Sequence, residues 1–200
     1  LTVILFTILA ILGCVCFARR SRRILLSALA ALLLSTLCLW FIHPKEQIRS
    51  GVLELTAIDV GQGDSILLVF PAGRKMLVDG GGLPEWMHSS MDVGEDVVSP
   101  YLWARGISRL DAIALTHAHA DHMDGLASVI ANFRPRELWL PTGVDSGEIR
   151  ALLQTAAAFD VRVNHLQAGN EFDYGGATVR VLAPDPDFPV RIAHQNDESL

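Results

Sequence analysis

The sequence predicts an α/β domain preceded by two membrane helices, and three observations carry that prediction. Beyond residue 52, short apolar strands alternate with helical segments, the pattern of a sheet covered by helices on at least one face. Before residue 43, Leu1 to Ala18 and Ile24 to Ile42 are apolar runs without a charge, each close to the roughly 20 residues that span a bilayer as a helix. In the middle of the α/β region, Thr116-His117-Ala118-His119-Ala120-Asp121-His122 crowds three imidazoles and a carboxylate into a strand-to-helix turn.

The apolar runs account for a mean hydropathy of +0.35, which is high for a soluble chain. Between them lies Arg19-Arg20-Ser21-Arg22-Arg23, and an excess of arginine in a short loop marks its cytoplasmic side. Everything after about His43 is therefore predicted to be extracytoplasmic, in a multi-pass protein of the inner cell membrane. An export signal built on Arg22 and Arg23 would also place the domain outside. The run that follows them is longer than a signal core of about 7 to 15 residues, however, and another apolar segment precedes it. The predicted organisation is a membrane hairpin over 1–43, a linker over 44–51 containing Pro44 and Gly51, and a domain over 52–200.

Of the chain's 16 basic residues, four are the loop arginines, and no acidic residue precedes Glu46, so residues 44–200 set 12 basic against all 22 acidic residues. That balance excludes a broad basic surface gripping nucleic acid non-specifically, while leaving room for a local patch or metal-bridged contacts. Cys14, Cys16 and Cys38 all lie in the apolar runs, so the domain has no thiolate for a metal and no disulfide. Any metal there is held by nitrogen and oxygen. The chain starts with leucine and stops just after a polar run, and is expected to be a piece of something longer.

Within the domain, Val52 to Val60 and Ser65 to Phe70 read as strands joined by a Gly61-Gln62-Gly63-Asp64 turn. A Pro71-Ala72-Gly73 hairpin leads to a third strand, Lys75 to Val78, antiparallel to the second. Asp79-Gly80-Gly81-Gly82 ends it, with glycines that let the backbone turn or approach another group closely. Residues 83–94 read as a loop or flap, and Asp96 to Arg105 as a helix ended at Gly106. Leu110 to Leu115 is the strand into the histidine cluster and Met123 to Phe133 the helix out of it. Glu137 to Leu140 is a strand and Gly147 to Ala158 a helix. Val161 to Leu166 and Ala177 to Leu182 are the last strands, the second following a Tyr174-Gly175-Gly176 turn.

On an extended strand end, alternate side chains share a face, so His117 and His119 can address one metal ion while Ala118 turns away. Asp121 and His122 can reach a second ion beside it. Imidazole and carboxylate suit zinc, iron or manganese. Buried without such a partner, these side chains would be costly. Gly61-Gln62-Gly63 lacks the third glycine and the following helix of a dinucleotide fingerprint. His165 reads as a satisfied strand histidine, and His88 and His43 have no constellation around them.

The His-x-His-x-Asp-His cluster resembles the signature of the metallo-β-lactamase superfamily, and Leu77-Val78-Asp79-Gly80-Gly81 resembles its first motif, an aspartate supporting the metal loop. That resemblance implies an αββα sandwich, of which this chain holds the first half and part of the second. It also implies a hydrolase with two divalent metal ions, zinc or manganese, on His117, His119, Asp121 and His122. Asp79, Asp121 and His122 would serve catalysis, and His194 is a candidate third histidine for the first ion. Where the superfamily has a glycine pair after the cluster this chain has Asp124-Gly125, and Asp124 is placed in the first helical turn, facing the helix dipole. The superfamily's later ligands, a bridging aspartate and a final histidine, would lie beyond Leu200, so this chain alone is expected to be weakly active or inactive.

More narrowly, Asp59-Val60-Gly61-Gln62-Gly63-Asp64-Ser65-Ile66-Leu67-Leu68, the membrane hairpin and the Asn196-Asp197-Glu198-Ser199-Leu200 ending are similar to ComEC-type DNA-internalisation proteins. The implied partners are DNA, single-stranded or duplex, the membrane, other membrane segments of the same parent protein and other uptake-machinery proteins. The implied activity is cleavage of the non-entering strand by a metal-bound hydroxide, since an ion held by neutral imidazoles brings the pKa of its water to about 7. The same centre could attack a carbonyl, so an exported lactamase or lactonase is a second reading. A non-catalytic metal-binding part of a DNA channel is a third.

Overall fold

The computed structural model describes residues 8, 10, 13, 22–41, 46–83, 90–185 and 199–200. The chain divides into two units, Leu1–His43 and Pro44–Leu200.

In the first unit, Arg22–Phe41 forms helix α1, 20 residues long. Leu26, Leu29, Leu33, Leu34 and Leu37 are all more than half exposed on it. The Ser35 and Thr36 hydroxyls donate back to the Leu32 carbonyl, so neither is left unpaired on this apolar helix. Among the described residues, no helix is long and apolar enough to cross a membrane. The expected span over Leu1 to Ala18 and the arginine loop fall largely outside the described residues.

The second unit is built on one six-stranded sheet whose spatial order follows the sequence: β1 (Glu54–Ala57), β2 (Ile66–Val69), β3 (Lys75–Val78), β4 (Ala112–Ala114), β5 (Glu137–Pro141) and β6 (Arg162–Leu166). The first three strands run antiparallel and the last four parallel. Parallel neighbours need crossovers, and helices supply them. A π-helical turn, Gly94–Val98, runs into α2 (Ser99–Ala104) between β3 and β4. Helices α3 (Ala120–Met123) and α4 (Leu126–Phe133) link β4 to β5, and α5 (Gly147–Ala158) links β5 to β6.

All of these crossovers pack on one face of the sheet. Val98, Leu102, Leu126, Val129, Ile130, Phe133, Ile149 and Leu152 meet Leu67, Leu77, Ile113, Leu115, Leu138 and Leu140 there, and all are buried. The opposite face carries a separate hairpin, β7 (Glu171–Tyr174) and β8 (Ala177–Arg180). Trp139 is its anchor, edge-on to Phe172 at 5.2 Å and to Tyr174 at 5.0 Å. Burial, reinforced by the charges of Asp111 and Glu137, pushes the Tyr174 hydroxyl up to about 12. The described residues thus give one helical layer, one full sheet and two strands of a further layer.

Several expectations need correction. The first strand is shorter than Val52 to Val60, because residues 58–65 form a loop with its own contacts. The helix expected from Asp96 starts earlier and begins as a π turn: Pro100 has no N–H for the Asp96 carbonyl, and the Ser99 N–H reaches back to Gly94 instead. The helix expected from Met123 is two helices, interrupted at Asp124-Gly125, so Asp124 precedes the first turn of α4 and is exposed. Strand β7 was not foreseen, since its two acids mask a Phe172/Tyr174 alternation that only Trp139 makes apolar. His43, His88 and His194 lie outside the described residues.

Helix α5 follows its sequence signals closely. Ser146 accepts a hydrogen bond from the Ile149 N–H at 3.2 Å, capping a helix whose Ile149, Leu152 and Ala156 share the buried side. Ser146→Ala is expected to destabilise the domain by about 1 kcal/mol, read as a lower urea midpoint with an unchanged slope.

Candidate metal centre

In an open α/β sheet, ligand sites form beyond the carboxyl ends of the parallel strands, and the histidine cluster sits there. Register aligns Val78 with Ala114, so Asp79, one step past β3, lies beside the chain leaving β4. Asp79 has φ 58°, a left-handed conformation that costs a non-glycine residue about 1–2 kcal/mol. That turn sends its carboxylate under the histidine loop rather than along the strand.

Three donors converge on this carboxylate. The Thr116 N–H donates to Oδ1 at 2.7 Å, the Thr116 hydroxyl to Oδ2 at 2.6 Å, and His122 Nδ1 to Oδ2 at 2.8 Å. Asp79 is only 2% exposed, and burial raises its pKa against these hydrogen bonds, which lower it. One buried acid therefore holds both ends of the loop.

The same network sets ring tautomers. Thr116 has a single hydroxyl proton, and with that proton on Asp79 its oxygen accepts from His117 Nδ1 at 2.9 Å. His117 Nε2 is then a lone-pair nitrogen. His122 gives its Nδ1 proton to Asp79 directly, which likewise leaves Nε2 as the ligating atom. His122 Nε2 faces the Asp121 carboxylate at 3.9 Å. Burial first, then the neighbouring His122 and His119, lower the pKa of His117 and favour its neutral, ligating form.

The rings of His117 and His119 are centred 4.6 Å apart and those of His117 and His122 4.1 Å apart. His117 is the hub that joins the three rings in one group. Ala118 packs towards the core, as alternation predicts. Among the described residues, no three His, Cys, Asp or Glu side chains converge closely enough to hold an ion as they stand. Two imidazoles on one tetrahedral ion hold their ring centres about 5 Å apart, so opening this cluster to that spacing takes shifts of about 1 Å or less. The donor set, three imidazoles and a carboxylate with Nδ1 of His117 and of His122 already hydrogen-bonded, fits a divalent ion.

Glycines bring the rest of the loop to bear. A Cβ on Gly63 would stand 1.7 Å from the Asp121 carbonyl oxygen, so the Gly61–Asp64 loop rests on the metal loop rather than serving as a tight hairpin turn. A Cβ on Gly125 would stand 2.3 Å from the Gly80 carbonyl oxygen. The break after α3 is the price of that approach. The Gly80 N–H donates to the His122 carbonyl and the Gly81 N–H to the Asp64 carbonyl, tying three loops together. Two residues enter the site that spacing alone did not single out. Thr116 is the relay, and Asp64 brings its carboxylate to 4.0 Å from His122 Nδ1. Both were visible as flanks of recognised motifs, but their partners lie 37 and 58 positions away.

A family model described as the metallo-beta-lactamase superfamily matches residues 58–197. The chain is 30% identical over 205 residues to ComE operon protein 3 of Bacillus subtilis (strain 168), a match covering 98% of this chain and 26% of that protein. It thus spans about a quarter of that relative's length. Among solved structures, a Cronobacter sakazakii metallo-beta-lactamase with a HARLDQ motif matches 64% of this chain and 49% of its own at 20% identity and a TM-score of 0.45. CmlA, a diiron beta-hydroxylase from Streptomyces venezuelae, matches 69% of this chain and 25% of its own at 19% identity and a TM-score of 0.42.

Proposed function

The chain belongs to the metallo-beta-lactamase superfamily, whose members typically bind divalent metal ions, and from that premise we propose that it is the hydrolase domain of a membrane DNA-uptake protein. Its reaction is cleavage of phosphodiester bonds in the strand that does not enter the cell. The observation that carries the reading is the loop built on Asp79, with His117 and His122 both fixed as Nε2 ligands. The similarity to a ComE operon protein supports the choice of DNA over a lactam or thioester.

His117, His119, Asp121 and His122 would hold the metal, with His194 a further candidate. When bound, the metal supplies Lewis acidity and activates water near neutral pH. Asp79 keeps the Nδ1 protons of His122 and, through Thr116, of His117 turned away from the centre. Asp121, 38% exposed, would accept a proton at the solvent side. The apolar runs Leu1 to Ala18 and Ile24 to Ile42, with the arginines between them, support a membrane anchor that leaves residues 44–200 outside the cytoplasm.

The test is cleavage of single-stranded DNA with added zinc or manganese, in this chain and in one extended past Leu200, beside turnover of a chromogenic lactam. His119→Ala is expected to lower metal-dependent DNA cleavage by roughly 100-fold or more. Lactam turnover without DNA cleavage would overturn the reading.

A further inference from the structure

Three arginines in this acidic domain stand without an ion-pair partner and open into one cleft. Arg109, ahead of β4, Arg134, after α4, and Arg136, ahead of β5, line a cavity of 630 Å³ together with Asn132, Phe159 and Asp160. Among the described residues, none of these three guanidiniums has an ion-pair or hydrogen-bond partner, whereas Lys75, Arg105, Arg150, Arg162 and Arg180 are ion-paired; Arg74, over the Tyr174 ring, and Arg49 also lack an ion pair but lie outside this cleft. Asp160 offsets one of the three charges, so the cleft remains cationic although residues 44–200 carry 12 basic and 22 acidic residues.

The backbone gives a second, independent sign. Arg134 has φ 42° at the end of α4, a left-handed position that glycine fills most easily, and its N–H closes the helix on the Ile130 carbonyl. A long charged side chain at a position that favours none is strain retained for what the side chain does. Its guanidinium lies over the Phe159 ring at 5.6 Å. Asn132 is fixed by donating to Glu95 and Ser99, so the wall beside it is rigid.

We propose that this cleft binds the phosphate backbone of a nucleic-acid strand, at the end of the sheet opposite the histidine loop. Guanidinium forks match phosphate oxygens two at a time, and the Phe159 ring beneath Arg134 helps to hold one of these forks in the cleft. Arg109 precedes β4 and His117 follows it, which at about 3.3 Å per residue separates the cleft from the metal loop by roughly 25 Å. Helix α4 carries the chain back the same way to Arg134. A recessed cleft with an aromatic wall suits a strand laid into it better than a flat bilayer surface does. The proposal rests on the reading that DNA is the substrate and adds a second, metal-independent contact to it.

The test is fluorescence anisotropy of a labelled 20-nucleotide oligothymidylate with the full chain in EDTA, over a salt series. Replacing Arg109, Arg134 and Arg136 together by glutamine is expected to weaken binding about tenfold or more and to lower the salt slope by about 2, at roughly 0.7 per phosphate contact. Arg134→Gly, which relieves the left-handed strain, is expected to fold at least as well as the parent and still bind more weakly. Unchanged binding by the triple variant overturns the proposal, as does an absence of binding by the parent. Arginine-dependent binding to phosphatidylglycerol vesicles without oligonucleotide binding also overturns it, in favour of a membrane surface. Because these readings are taken without metal, they fail separately from the cleavage assay.

Discussion

Asp79→Ala is expected to lower domain stability by roughly 3 kcal/mol and metal affinity by about 10- to 100-fold. The carboxylate accepts from the Thr116 N–H, the Thr116 hydroxyl and His122 Nδ1 while almost fully buried, so its removal orphans a backbone donor where water is excluded. Two ring tautomers lose their reference at the same time. Asp79→Gly separates strain from hydrogen bonding. Glycine accepts φ 58° freely, so this variant should be less destabilised than Asp79→Ala by about 1 kcal/mol and yet lose metal affinity equally. Urea unfolding in EDTA and calorimetric titration with zinc check the two parts. Wild-type metal affinity in either variant would refute the assigned role of Asp79.

Gly63→Ala should be nearly as damaging, for a steric reason. Its Cβ would lie 1.7 Å from the Asp121 carbonyl oxygen, and at φ 72° an alanine is also strained. The loop must lift off the histidine cluster or push Asp121 aside, and a loss of about 2–3 kcal/mol is expected. Gly61→Ala in the same loop is the control. At φ 80° it has the same backbone strain, but no atom lies within 4 Å of the added Cβ, so only about 1 kcal/mol is expected. Metal affinity should fall for Gly63→Ala and hold for Gly61→Ala. Equal effects of the two substitutions would mean that the contact with Asp121 does not matter.

Both predictions concern contacts between loops far apart in the chain, and that divides what was legible early from what was not. Strand β3, the β2–β3 hairpin and helix α5 were legible because their signals are local: a Pro71-Ala72-Gly73 turn between short apolar runs, and a helical segment opening at Gly147. Strand β7 was not, since Phe172 and Tyr174 become core residues only through Trp139, in a strand more than 30 positions earlier. The π turn before α2 was not legible: Pro100 lacks the N–H for the Asp96 carbonyl, and the form of the turn follows from where the Ser99 N–H finds an acceptor.

The sequence by itself determined the donor set and its place on a strand-to-helix turn, because residue type and short-range periodicity are properties of consecutive residues. It also determined the apolar runs ahead of the domain and the acidic balance within it. Only the tertiary structure decided that Asp79 governs two imidazoles, His122 directly and His117 through Thr116, that Gly63 and Gly125 are places where backbones touch, and that Arg109, Arg134 and Arg136 share a cleft. Those facts depend on distances between residues separated by a full crossover, and folding, not spacing along the chain, sets them.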